Sequence, residues 1–501
     1  MSIHYNEIPA NNLYPIVATE FDNSLASKTG PMPWKNLIIG QAKAGAPSAL
    51  TKINTAEEAA SIYGSGSQVH LMVKAFRKSN KYMDLYVIGL QDPVSSSTAA
   101  VAKLNITGTA TESAPLRLLI GGQAVTVSVI NEDTAAEIKA NIAARINALQ
   151  DLPVTAEVPS SGDDSGKVVI TAKNKGAAGN EIGIFLNFSQ GDKTPAGVTI
   201  AEFASTDRIY LAGGTGDTEF TDANVGNLIA GTWFNAIAIS KGDNSTTDGN
   251  VLYIKGLLDD RWTAMVQQTG VLFYSLGGNK TVLVTAGETR NSQVLCIPGL
   301  PGIPSLPCEI AAAAMGRIAQ VAIEDPAVPL SNWPLEGLVA PKLSDRLDIN
   351  SKNDILRAGV ALLEAGEDGT VYLKRTVTTY KRNASGIADT SYQQLEKIFT
   401  LSFLRWDWNS YMASKYPHAK LADDGNEYGP GQVVMTPKLG KAEILTRYQY
   451  WMGKGLVQNF DEFKANVVVE RDPDDSTALN FLIPADLIDQ LLICKSKIQF
   501  K

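Results

Sequence analysis

The sequence predicts a multidomain chain of mixed α/β and α+β class. An α/β core domain is split by an aromatic-poor α+β insertion and followed by a C-terminal α/β domain with adhesive ends. Three observations carry this reading. Strand-like and helix-like periods alternate from Trp34 to Leu90 and resume after Tyr210, as in a mostly parallel, covered sheet. Between those halves, residues 91–184 contain no Phe, Tyr or Trp, although aromatics make up 7% of the chain. Beyond Ala327 the composition shifts again, to strong helical periods and an alternating apolar–polar ending. The expected divisions are an extended arm (1–33), a discontinuous α/β domain (34–90 and 209–326), the inserted module (91–208), a C-terminal domain (327–490) and a terminal strand (491–501).

Pro9, Pro15, Pro31 and Pro33 interrupt any helical period near the start, so residues 1–33 read as an extended arm or a frayed terminus. Its IVATEF segment (16–21) is apolar enough to want a partner. NLIIG (36–40) is a short buried strand. Thr55 and Glu58 form a capping box that opens a helix through Tyr63, and QVHLMVKAFRK (68–78) continues as a helix. MDLYVIGL (83–90) reads as a strand. In the insertion, AVTVSVI is a strand, and Thr134 with Glu137 caps a helix carrying Ile138, Ile142 and Ile146 on one face. LPVTAEV and KVVITA follow as strands. After Tyr210 come a helix at 221–231, a strand NAIAIS (235–240), a helix over 251–266, strands VLFYSL (271–276) and KTVLVTAG (280–287), and an apolar helix over 309–323. The C-terminal domain then reads as a helix near 352–364, a strand VYLKRTVTTYK (371–381), a helix over 393–416 and a second through KAEILTRYQYWMGKG. FKANVVVE (463–470) alternates like a strand, with Phe463, Ala465, Val467 and Val469 on one face. Ile498 and Phe500 alternate with Lys497, Gln499 and Lys501. Such an end either pairs at home or adds to a neighbour's sheet edge.

Composition narrows the chemistry. A net charge of −8 argues against nucleic acid as the main partner, because phosphate neutralisation needs excess Lys and Arg. No apolar run reaches the roughly 20 residues that span a bilayer, and the first residues lack the basic and apolar regions of a signal peptide. Three cysteines (Cys296, Cys308, Cys494) fit a reducing compartment, and with three histidines they never reach metal-ligand spacing. No phosphate-loop or G-x-S-x-G motif occurs; LAGGTGD (211–217) reads as a turn, and Asp163-Asp164 and 423–427 as solvated loop tips rather than calcium loops. No catalytic, cofactor or metal site is expected. The competing readings are an adhesin or other binding protein with a β-rich module, and an α/β enzyme whose carboxylates meet only in the fold.

Several segments resemble a known family: the insertion through GGQAVTVSV, DTAAEIKANIAARINA and VITAKNKGAAGNEIGI; GVALLEAGEDGTVYLKRTVTTYKRNASGIADTSYQQLEKIFTLSFLR; and the ending FLIPADLIDQLLICKSKIQF. Together they are similar to contractile-tail sheath proteins of Mu-like myoviruses. The resemblance implies a structural subunit that stacks as six-fold rings around a tail tube and exchanges terminal arms with neighbours. It also implies contraction that drives the tube through the host envelope, within a virion tail assembled in the host cytoplasm. Baseplate and tail terminator proteins would be further partners, with no nucleic acid bound and no membrane insertion. Under this reading the arms are Ile3–Phe21, with Ile16, Val17 and Phe21, and Leu491–Phe500, with Ile498 and Phe500. Phe463, Val467 and Val469 belong to the receiving sheet. Lys438, Lys441, Arg447 and Lys454 either face an acidic tube or form a solvated face, and the insertion faces outward.

Overall fold

A computed structural model describes residues 32–93, 97–240, 249–426, 428–429 and 431–500. The expected N-terminal arm, with Ile16, Val17 and Phe21, lies outside the described residues. The chain divides into a larger unit (Trp34–Phe403, Trp451–Asn459, Ala485–Lys501) and a smaller one built on Leu404–Tyr450 and Phe460–Pro484.

The larger unit is organised by a parallel sheet of β1 (Asn36–Ala42), β2 (Leu85–Gln91), β3 (Ala236–Ile239), β4 (Val271–Phe273) and β5 (Leu295–Cys296). Its spatial order is β5-β4-β3-β1-β2, with Thr51–Lys52 added antiparallel at the β2 edge. Read from the other side, this is the 2-1-3-4-5 order of a doubly wound α/β sheet. All seven residues of β1 are buried, as expected of a strand covered on both faces. Alternation sorts the side chains. Ile38, Val87, Ala238 and Phe273 share one apolar cluster with residues of the helices Gln68–Ser79 and Pro307–Glu324. Leu37, Ile39, Ile237 and Leu272 share another with residues of the helices Gly249–Trp262 and Lys280–Glu288. The helices are α1 (Ala56–Tyr63), α2 (Gln68–Ser79), α3 (Ala135–Ala148), α4 (Gly249–Trp262), α5 (Lys280–Glu288) and α6 (Pro307–Glu324).

Thr55 caps α1 by accepting from Glu58 N at 3.1 Å, and Ser67 caps α2 by accepting from His70 N at 3.3 Å. The 280–287 segment, read as a strand because it is rich in Val and Thr, is instead α5. Asn279 caps it by accepting from Val282 N at 3.2 Å, and Leu283, Ala286 and Gly287 are buried at helical spacing. A cap and an apolar face outweigh β-branched propensity here. Similarly, the 371–381 strand stops at Arg375, and the helix expected at 221–231 is a π-turn (Asp222–Gly226) followed by Asn227–Ile229.

Between β2 and β3 the chain builds antiparallel sheets. Ala99–Leu104, Val168–Lys175 and Val154–Glu157 form one, and Arg208–Tyr210, Gly183–Leu186, Ala114–Ile120 and Gln123–Val129 another. The hairpin 114–129 turns at Gly121-Gly122, both at positive φ (53° and 77°), which side chains rarely tolerate. α3 carries the expected capping box of Thr134 and Glu137. The buried side chains of this region, Ile138, Ile142 and Val168 among them, join the same apolar cluster as Ile38 and Phe273.

In the smaller unit lie most of α7 (Leu395–Lys415) and α8 (Pro437–Gly453), together with α9 (Phe460–Asn466) and a hairpin of β6 (Val468–Arg471) and β7 (Leu479–Leu482). The 463–470 segment is therefore not one strand. Asp461 and Glu462 occupy the first turn of α9, and Phe463 and Val467, four apart, are both buried. That spacing suits a helix as well as a strand, and the acidic first turn favours the helix.

Candidate inter-subunit surface

The smaller unit is assembled around charges. Arg447 on α8 reaches Asp407 on α7 with two hydrogen bonds, Nε to Oδ2 at 2.6 Å and a second from Nη2 to Oδ1, and both side chains are buried. Its guanidinium also lies 4.1 Å from the Tyr450 ring centroid and 4.7 Å from that of Tyr411. A bidentate pair with this geometry is what makes burying two charges tolerable. One turn earlier on α8, Glu443 accepts from Lys415 Nζ at 2.8 Å, from Tyr416 Oη at 2.7 Å and from Tyr411 Oη. Burial pushes the Glu443 carboxyl up, but the bonds from Lys415, Tyr411 and Tyr416 outweigh it and hold the group below its ordinary range.

Seven sequence-predicted residues sit on or beside these elements. Phe463 stacks on Tyr448 with ring centroids 3.7 Å apart and planes 9° apart. Val467 is buried, and its carbonyl accepts from Lys441 Nζ at 3.0 Å. Val469 lies in β6 opposite Phe481 of β7. Arg447 is spent on Asp407 and presents no charge to a partner, which corrects the expectation that it faces outward; Lys438 and Lys454 are exposed. The partner Asp407 stands 40 residues earlier, so only the fold could reveal the pair.

The β6–β7 hairpin has two dissimilar faces. Val469, Leu479 and Phe481 pack over Gly440 of α8, where an added Cβ would lie 3.1 Å from each of them. Phe481 also meets Trp408 edge-on at 5.3 Å. On the other face Val468 and Leu482 are directly opposed and 45% and 62% exposed. Neither outer edge of this two-stranded sheet pairs with another strand among the described residues. An apolar strip beside unpaired main-chain groups is the usual template for an added strand.

The C-terminal segment belongs to the larger unit. Asp486–Leu487 pairs with Val457–Gln458, Ile488 N donates to Leu456 O at 3.1 Å, and Gln490 Nε2 donates to Ala327 O at 3.1 Å. After Gln490 residues 491–500 form no helix or strand. Leu491, Ile493, Ile498 and Phe500 are 80%, 65%, 89% and 94% exposed. The strand expected from their alternation does not form at home, because a strand's hydrogen bonds need a partner edge.

The remaining place to test is the crevice at the carboxyl ends of β1 and β3, where doubly wound sheets take ligands. Here the insertion fills it. Gln41 Nε2 donates to Asp92 Oδ1 and to Lys175 O, both at 2.9 Å, and Gln68 Nε2 donates to Gln41 Oε1 at 2.8 Å. Asn174 Nδ2 reaches Asp92 Oδ1 at 3.1 Å and Ala42 O at 3.2 Å, while Lys175 N donates to Asp92 Oδ2 at 2.8 Å. The polar groups that would greet a ligand are bonded to one another. No group of His, Cys, Asp and Glu able to hold a metal occurs among the described residues.

Comparison with known proteins points to one family. A family model described as the phage tail sheath C-terminal domain matches residues 388–501. Over 508 aligned residues, covering 100% of both chains, the protein is 31% identical to the Mu-like prophage FluMu tail sheath protein of Haemophilus influenzae. Among solved structures it is similar to a sheath tail protein of Desulfitobacterium hafniense, at 13% identity over 94% of this chain and 100% of that one, with a TM-score of 0.46. A sheath tail protein of Listeria innocua is similar at 12% identity over 93% and 94%, with a TM-score of 0.47.

Proposed function

The chain belongs to the Mu-like phage tail sheath family, and we propose that it is the repeating subunit of a contractile sheath, stacked as six-fold rings around a tail tube. The full-length match to the FluMu sheath protein carries this reading. Contraction is a rigid-body change between two packings that drives the tube through the host envelope, with the energy stored at assembly. Baseplate and tail terminator proteins bound the stack at its ends, within a virion tail assembled in the host cytoplasm.

The arms do the joining. Leu491–Phe500, with four exposed apolar side chains, adds to the β6–β7 hairpin of a neighbour, burying Ile498 and Phe500 beside Val468 and Leu482. Each ladder bond nets about 0.5–1.5 kcal/mol, so a few bonds and two side chains give a contact of several kcal/mol. The segment with Ile16, Val17 and Phe21 supplies the second exchanged arm. A head-to-tail contact of this kind does not close on itself and so builds rings and helices. The C-terminal domain lines the tube, with Lys438, Lys441 and Lys454 as its basic residues there, and the insertion faces outward.

Electron microscopy of the purified protein tests the proposal. Tubes are expected, and removal of 491–501 should leave a folded monomer that forms none. A small closed oligomer or discrete particles from the full chain would overturn it.

A further inference from the structure

An open groove of about 540 Å³ on the larger unit runs along α2, between α1 and the segment at Glu336. Its cations are Lys74, Arg77, Lys78 and Lys81, but two are already engaged. Lys74 pairs with Asp151 at 2.5 Å, and Arg77 donates to Met83 O at 2.8 Å and Ile53 O at 2.5 Å. Lys78 and Lys81 are exposed and make no ion pair among the described residues. Lys78 is also positioned: its stem crosses Gly337 (φ 86°), where an added Cβ would fall 2.3 Å from Cδ. His70, 3% exposed, lines the same groove. Its Nδ1 accepts from Gly66 N at 3.0 Å, which leaves Nε2–H as a donor with no hydrogen-bond partner among the described residues. Glu57, Asp151 and Glu336 also line the groove and disfavour a long polyanion, which leaves Lys78 and Lys81 to meet a short acidic segment.

This chain carries such a cluster. The turn joining β6 to β7 reads Asp472-Pro473-Asp474-Asp475. Asp472 accepts from Asp474 N at 2.9 Å, Asp475 N at 3.0 Å and Asn480 Nδ2 at 2.9 Å, so the turn holds its own shape. The Asp474 carboxylate has no partner among the described residues. A preformed turn pays little ordering cost on binding. We propose that the groove receives the Asp472–Asp475 turn of a second copy of the chain, with Asp474 between Lys78 and Lys81. The contact rests on the self-assembly proposed above and adds an electrostatic joint to the strand exchange.

Disulfide trapping tests it in the full chain with Cys494→Ser, since Cys296 and Cys308 are buried. Glu336→Cys protein is mixed with Ser476→Cys protein under mild oxidation, with Thr155→Cys as the unrelated partner. The expected heterodimer yield is about tenfold above that control, falling by a similar factor with Lys78→Glu and Lys81→Glu and recovering when the partner carries Asp474→Lys. A yield equal to the control, or one indifferent to these charges, overturns the proposal. Micrographs of the same samples separate the two readings: tubes without the cross-link sink only the groove contact, and the cross-link without tubes sinks only the sheath reading.

Discussion

The two units bury charge in opposite ways. In the larger unit the buried ionisable groups serve the backbone. Arg261 donates to Ile229 O and Thr232 O, Lys381 to the carbonyls of Gly287, Arg290 and Ala358, and Glu309 and Glu396 accept from the amides of Leu306 and Leu330. In the smaller unit the buried charges Arg447, Asp407 and Glu443 are met by opposite charges, Arg447 by Asp407 and Glu443 by the exposed Lys415, while Lys441 bonds the Val467 carbonyl. Titration follows the same divide. Burial pushes Glu309 up to about 7 and Lys381 down to about 8, both toward neutrality. Ion pairing moves Glu443 and Lys415 toward their charged forms. A parallel sheet with two apolar clusters can carry charges as fixtures at its helix ends. A unit of three helices and one hairpin, with little apolar surface to share, uses them as fasteners.

The sharpest way to break this contrast is to remove one partner from each kind of site. Arg447→Ala takes the opposite charge from the buried Asp407 and should cost about 3–5 kcal/mol, most of it regained with Asp407→Leu and Arg447→Met together. Arg261→Met, which forfeits only bonds to carbonyls, should cost about 1–3 kcal/mol. Chemical denaturation, with hydrogen exchange to locate the damage, reads both. If Arg447→Ala costs no more than Arg261→Met, the pair is not a fastener.

The pH response sharpens it next, and the signs are opposite. Between the ordinary Glu value of 4.5 and about 7, the folded chain keeps the Glu309 proton that the unfolded chain has lost. The Glu309 contribution therefore declines as pH rises through that window, and Glu309→Gln should recover on the order of 1–3 kcal/mol at pH 8 and nothing at pH 4. Glu443 is depressed, so its contribution is full above the ordinary value and is lost as pH falls. Glu443→Gln should destabilise at pH 7 and become neutral in acid. Equal slopes for the two variants would dissolve the contrast.

The smallest effect on stability belongs to the hairpin's outer face. Val468→Thr with Leu482→Thr should shift monomer stability by less than about 0.5 kcal/mol while shortening or abolishing tubes. Loss of monomer stability comparable to the Arg447 variant would mean this face is internal structure and not an assembly surface.

The parts legible in the sequence were those fixed by local signals. The apolar run of β1, the Thr55 cap, the Thr134 box, the buried face of α3 and the aromatic-free stretch all sit within a few residues of their causes. α5 and α9 were misread because Val- and Thr-rich or alternating segments satisfy two periods at once over so short a length. The role of Arg447 was hidden for another reason, since Asp407 lies on a different helix. The polar set around Gln41 was hidden for the same reason, as Lys175 is 134 residues away. The sequence holds no motif that announces catalysis, and nothing local in it announces that the insertion packs against the end of β1.

That packing has a mechanical consequence. Asp92 stands where the chain leaves β2 for the insertion, and Asn174 and Lys175 end one of the insertion's own strands; Asp92 and Lys175 bond to Gln41 near the end of β1, and Asn174 bonds to Asp92 and to the Ala42 carbonyl. Those bonds lie where the chain crosses from the sheet to the insertion, so drawing the two apart there would first require breaking amide and carboxylate hydrogen bonds.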